Sequence, residues 1–195
     1  MTSLLIVITV ARPIWSSAVG RSLVCGGQPG SADAILVENL DPNYLLFERA
    51  GELYRANALS RVYVLANANA GGVPSSVDLG VINVMAQIAR LAPFKVVPVS
   101  DVEPISLNAA KQARTVLHQE RVKSVLIVTT AFRSRRSSLV YRAVFGQAGI
   151  DVACVPVLGH NTPDNWTDTW HGIEEVVEQF VKLQYYRFYV LPRYS

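Results

Sequence analysis

One stretch of this chain concentrates groups able to grip an anion. Thr129-Thr130-Ala131-Phe132-Arg133-Ser134-Arg135-Arg136 follows the strongest strand signal in the sequence and opens a helical pattern. A helix start offers unpaired backbone N–H groups and the positive end of the dipole, which favour negative charge. Three arginines beside two threonine hydroxyls would make a phosphate or carboxylate clamp, because a guanidinium binds two oxygens at once. The structural alternative is a solvated basic turn with one arginine paired to a neighbouring acid.

A second candidate is Asp101-Val102-Glu103-Pro104-Ile105-Ser106-Leu107-Asn108, at another strand-to-helix junction. Ser106 is expected as the N-cap of the helix, with Asn108 in its first turn and close to the same crevice. Glu103 could bond a ligand hydroxyl or orient an arginine; read as structure alone, Ser106 caps and Glu103 is exposed. Asn39 and Asn67, in the loops after the first and second strands, complete the set of ligand candidates with His160, which follows the last strand in Gly159-His160-Asn161. His118 falls inside a helix and His171 lies beside Trp170. No Ser-His-Asp order or metal-ligand spacing links the histidines, so no catalytic residue and no metal site is assigned. Trp166 and Trp170, four residues apart, are expected to pack on one helix face. Gly71-Gly72 lacks both the GxGxxG spacing and a P-loop lysine, so no nucleotide motif is present.

The elements that would position these residues alternate regularly. Ala34–Val37, Val62–Leu65, Phe94–Val99, Ser124–Val128 and Val152–Val157 read as strands. Helical patterns fall near Pro42–Asn57, Ser76–Leu91, Ser106–Glu120, Ser134–Phe145 and Pro163–Tyr185, the second with Val81, Val84, Met85 and Ile88 as its buried stripe. Pro98 places the third strand at an edge, and the fourth is apolar on both faces, as a central parallel strand should be. The rhythm predicts an α/β fold with a doubly wound, mostly parallel sheet of five strands flanked by helices. Such sheets bind ligands where loops diverge at the carboxyl ends of the strands. That rule selects Glu38–Asp41, Asn67–Gly72, Asp101–Asn108 and Thr129–Arg136.

Bulk properties bound the reading further. The 195 residues are 50% hydrophobic and 17% charged, enough for one domain with a sizeable core. A net charge of +3 suits an anionic small ligand or membrane surface, whereas the basic residues are too dispersed to suggest nucleic acid. Cys154 lies in an apolar run and reads as a buried strand thiol; a disulfide with Cys25 is neither indicated nor excluded, which leaves the redox compartment open. Leu4–Ala11 is apolar but too short to span a bilayer, which needs about 20 such residues. Residues 1–24 are therefore read as an apolar amino-terminal segment, either a short helix or a truncated membrane anchor, and residues 25–195 as the domain.

The order of these motifs resembles the SanA/ElyC/YdcF family of bacterial envelope-associated proteins. Asp33-Ala34-Ile35-Leu36-Val37, the helix ending Ala50–Ala56 and Arg61-Val62-Tyr63-Val64 look like its opening. Glu103-x-x-Ser106-x-Asn108 is similar to its acidic-Ser-Asn motif, and Val128–Arg136 to its strand-end segment. The resemblance implies a Rossmann-like fold, a role in peptidoglycan or polyprenyl-carrier biogenesis, and a place in the cell envelope, with a cytoplasmic alternative. For one branch it implies S-adenosylmethionine binding. Where the family has glycines after the first strand this chain has Glu38-Asn39-Leu40-Asp41, and Arg133 replaces a histidine. Those departures keep open a second reading, a ligand sensor or scaffold without catalysis, and a third, an S-adenosylmethionine or nucleotide-like binder.

Overall fold

The computed structural model of the chain describes residues 12–27, 30–57, 60–69 and 72–194. The amino-terminal apolar run, Leu4–Ala11, lies outside them.

Helix α1 (Arg12–Ser22) precedes strand β1 (Ala34–Val37), after which strand and helix alternate. The order is α2 (Tyr44–Ala56), β2 (Arg61–Ala68), α3 (Ser76–Ile88), β3 (Lys95–Ser100), α4 (Ile105–Gln119), β4 (Ser124–Thr130), α5 (Ala131–Gly146) and β5 (Asp151–Val157). A short 3-10 turn at Trp166–Asp168 leads into α6 (Trp170–Tyr185). A π-helical turn (Tyr186–Val190) and α7 (Leu191–Tyr194) close the chain.

All five strands are parallel, in the order β3-β2-β1-β4-β5. The expected Rossmann-like sheet is therefore present, and Pro98 does sit on an edge strand. Alternate residues of each inner strand feed two separate cores. Leu36, Tyr63 and Ile127 pack under α4 and α5, while Ile35, Val64 and Leu126 pack under α2 and α3. This two-sided burial explains why the inner strands read as continuous apolar runs.

Both cysteines belong to one disulfide, Cys25–Cys154, so Cys154 is not the free strand thiol expected. The bridge ties the segment after α1 to edge strand β5. Neighbouring bonds reinforce the tie: Cys25 N–H donates to Ser134 Oγ at 2.9 Å, and Arg135 N–H donates to the Leu23 carbonyl at 2.9 Å. Helix α1 itself lies against the Pro163 loop. A Cβ on Gly20 would come within 2.8 Å of Pro163 Cα, so only glycine allows this approach. Trp166 Nε1 donates to the Ser16 carbonyl at 2.8 Å from the other side.

Three helix expectations are corrected. Helix α5 begins at Ala131, three residues before the predicted Ser134, because Phe132 packs into the core with Leu23 and Trp166. In α3 the buried stripe is Ile82 and Ala86; Val81, Val84 and Ile88 face outward. The helix is apolar on both sides, so periodicity alone could not choose between them. Trp166 and Trp170 do not share a face, since the 3-10 turn buries Trp166 and leaves Trp170 exposed.

Asp33 fastens the amino end of β1 to β4: its Oδ2 accepts from the N–H groups of Lys123 at 2.8 Å and Ser124 at 3.1 Å. These bonds, that from Lys123 first, hold its pKa below the usual aspartate value. A depressed carboxylate stabilises the fold above its unfolded pKa and ceases to do so as pH falls through the folded value. Asp33→Asn should therefore flatten the loss of stability on acidification below about pH 4. Urea titrations across that range check it, and an unchanged slope would mean the bonds add nothing in solution. Leu126→Ala and Ile127→Ala should each cost about 2–5 kcal/mol, one in each core. Losses under about 1 kcal/mol at both would contradict an inner strand.

Candidate functional site

Strands β1 and β4 are neighbours whose following helices leave on opposite faces, so their carboxyl ends diverge into a crevice. Val37 pairs with Val128, and Glu38 N–H continues the ladder to the Val128 carbonyl at 2.9 Å. This places Glu38 at the base of the crevice, where it is 1% exposed. Its Oε2 accepts from Thr129 Oγ1 and Ser137 Oγ, both at 2.5 Å.

Arg133 and Arg136 project from the first turns of α5 toward the same carboxylate. Arg133 also pairs with Asp41, which follows β1. Arg136, 5% exposed, lies over the Tyr186 ring at 5.3 Å from its centroid. Tyr186 Oη in turn accepts from Ser106 N–H at 3.0 Å, which joins the start of α4 to the same cluster. Burial opposes the charge on both arginines. At Arg133 the Glu38 and Asp41 carboxylates outweigh burial, and its pKa is raised. At Arg136 burial prevails over Glu38, with repulsion from Arg133 added, and the pKa is lowered. Arginine stays protonated regardless, so these shifts rank how well each cation is compensated. Arg136 is the less satisfied. Burial first, then Glu38, pushes the Tyr141 phenol well above its ordinary value, so it remains a neutral donor.

Buried side-chain atoms without a hydrogen-bond partner gather here: Glu38 Oε1, Asn39 Oδ1, Arg133 Nε, Arg136 Nε and Tyr141 Oη. Buried polar groups are nearly always bonded, so a concentration of unpaired atoms in one place is unusual. Arg133 and Arg136 line a cleft of about 730 Å³, a volume suited to a small-molecule ligand. Its walls bring in Asn67 and Ser75 from the β2–α3 region, Glu103 and Ser106 from the start of α4, and Lys182 and Tyr185 from α6. Carboxylates are present too, but several are already engaged. Asp41 pairs with Arg133, Asp78 accepts from Ser75 Oγ at 2.8 Å, and Glu103 Oε2 accepts from Ile105 N–H at 3.1 Å.

The residues predicted as one site are thus divided. Asn67, Glu103, Ser106, Arg133 and Arg136 share the large cleft. Thr130 and His160 line a separate cleft of about 260 Å³ together with Asn161 and Glu175, at the N-terminus of α5. Because α5 starts early, its N-terminus opens there, while its arginines, farther along the helix, face the larger cleft. Thr129 is buried as a donor to Glu38, and Asn39 is buried beside β1. Asn108 Nδ2 donates to the Val102 carbonyl at 2.5 Å and shapes the β3–α4 loop. Ser106 is not the N-cap; that position is Pro104, and Glu103 supplies the capping acceptor. Among the described residues no cluster of three or more His, Cys, Asp or Glu side chains could hold a metal ion.

Ser137, Tyr141 and Tyr186 were not selected from the sequence, and Glu38 only as the first residue of the loop after β1. Glu38 carried one usable signal, a lone carboxylate directly after a four-residue apolar strand at a ligand-binding end. Tyr186 carried none, since it reaches the cleft only through the docking of the last helix.

The class defined by this geometry is a Rossmann-like α/β protein with a cleft at its switch point. No protein-family model matches the chain, and no curated protein matches it.

Replacing Glu38 by alanine should cost about 3–5 kcal/mol, because it leaves buried guanidinium charge and two hydroxyl donors without their acceptor. Chemical denaturation measures the loss; under about 1 kcal/mol would show that the carboxylate is not the counter-charge of this cluster.

Proposed function

We propose that this chain binds a small anionic ligand in its larger cleft, as a SanA/ElyC/YdcF-like protein of cell-envelope biogenesis. The observation that carries the reading is Arg136. It is a nearly buried guanidinium that lines the cleft, is held by an aromatic face, and has an Nε without a partner. An incoming phosphate or carboxylate oxygen would supply the bonds this fork lacks.

The disulfide supports an envelope location, because such bonds persist in oxidising compartments and are rare in the cytosol. None of the described helices is long and apolar enough to cross a membrane.

Thermal-shift titrations with inorganic phosphate, sugar phosphates, nucleotides and S-adenosylmethionine test the proposal, since a ligand of the native state raises its stability by mass action. At least one anion should raise the melting temperature of the wild type. Arg136→Lys should weaken that ligand by about tenfold, as a point charge replaces a bidentate fork. Because Arg136 is buried, the substitution should also cost about 1–3 kcal/mol without ligand. No response to any anion, or equal responses in the two proteins, would refute the reading.

A further inference from the structure

Helix α3 presents an apolar stripe that the described residues leave exposed. Val77 is 72% exposed, Val84 56% and Ile88 63%, with Val81 at the margin at 37%. The opposite side of the helix, Ile82 and Ala86, belongs to the core that α3 shares with α2. None of the exposed residues of α3 is charged, and Asp78, in the first turn, is its one ionisable side chain. A continuous apolar face of this kind, with no polar residue breaking it, marks an interaction surface.

The stripe repeats at four, three and four residues, so it reads the same from either end. An antiparallel copy of the helix therefore sets Val77 against Ile88 and Val81 against Val84, apolar on apolar along its length. The same pairing brings Asp78, near the start of one helix, toward Arg90, just beyond the end of the other. That opposite-charge pair occurs twice, once at each end. Gly80 fits the same arrangement. Glycine destabilises a helix interior, and a Cβ there would meet nothing within 4 Å in this chain, so it leaves room for a partner to approach. A membrane surface suits the stripe less well, because interfacial helices carry Lys or Arg and α3 has neither. Pairing of copies along the exposed edge of β3 is opposed by Pro98, which lacks a donor.

We infer that α3 is the face through which two copies of this chain associate, as a symmetric antiparallel helix pair. Its 13 residues span only about 20 Å. Such a stripe buries less than the roughly 800 Å² per partner of a standard interface, so the dimer is weak and reversible, in the micromolar range. Ser75 and Asp78, at the start of α3, line the larger cleft, so pairing sets the two clefts at opposite ends of the interface. The inference holds whether or not those clefts bind an anion.

Sedimentation of the full chain from about 2 to about 200 µM brackets such a constant. The wild type should pass from monomer to dimer across this range. Val84→Lys and Val81→Glu should each raise the dissociation constant at least about tenfold, since each buries an unpaired charge in the seam. An equimolar mixture of the two variants should regain dimer, because antiparallel pairing sets the new ammonium against the new carboxylate. Val177→Lys, at a position of α6 that is 53% exposed, should leave the equilibrium unchanged. Where the wild type is monomeric, both α3 variants should match its urea midpoint. A folding defect there would show that these side chains do not face outward, and would overturn the inference. So would a wild type that stays monomeric, a dimer indifferent to the α3 variants, or a mixture no more associated than its components. Flotation of monomeric wild type with phosphatidylglycerol vesicles, lost in Val84→Lys, would give the stripe to lipid and overturn it as well.

Discussion

A carboxylate buried at the end of an inner strand has to be compensated, and the architecture around the cleft follows from how this is done. Glu38 follows β1 and is almost fully buried, where an isolated charge would be prohibitively costly. Two hydroxyls from β4 and α5 bond one of its oxygens, and two guanidiniums from α5 supply opposite charge. The arrangement requires α5 to begin directly at the end of β4, so that Arg133 and Arg136 fall one turn apart on the face above Glu38. The early start of α5, which seats Phe132 in the core, thus also brings both guanidiniums to the Glu38 carboxylate.

That compensation is uneven. Asp41 gives Arg133 a second partner, while Arg136 has Glu38 and the face of Tyr186. The outcome is an unequal pair of cations, one with two carboxylates near it and one with a single carboxylate and an aromatic face. Tyr186 matters for the same reason, since it supports Arg136 and also accepts the Ser106 N–H, joining the last helix to the start of α4. The π-helical turn that begins at Tyr186 therefore lies where the carboxyl-terminal helices meet the cleft.

At the other edge of the sheet the disulfide performs a different task. It holds the segment after α1 against β5 and the first turns of α5, and Leu23 completes a small core with Phe132, Trp166, Val176 and Leu183. A cross-link that closes so long a loop restricts the unfolded chain strongly, which favours the folded state of a body assembled from distant segments. It also occupies the backbone near the start of α5, so that helix is positioned from both ends of the chain.

Much of the fold was legible in the sequence. Buried parallel strands are continuous apolar runs, crossover helices follow them at a fixed rhythm, and Pro98 marks an edge by lacking a donor. These are local properties, and so the sheet, the crevice and the place of Arg133 and Arg136 beside it could be read directly from residue types. The pairing of Cys25 with Cys154, the outward face of α3, the separation of Thr130 and His160 from the arginines, and the role of Glu38 could not. Each depends on which of two chemically acceptable neighbours a side chain meets, and the choice is made by packing between segments far apart in the chain. The residues of α3 are apolar on both sides, and Glu38 would be an ordinary loop carboxylate were α5 to begin one turn later. The sequence alone determined the sheet and the end of it that carries the cleft. Only the tertiary structure decided which charges meet there, because charge compensation is settled by distances that local patterns do not encode.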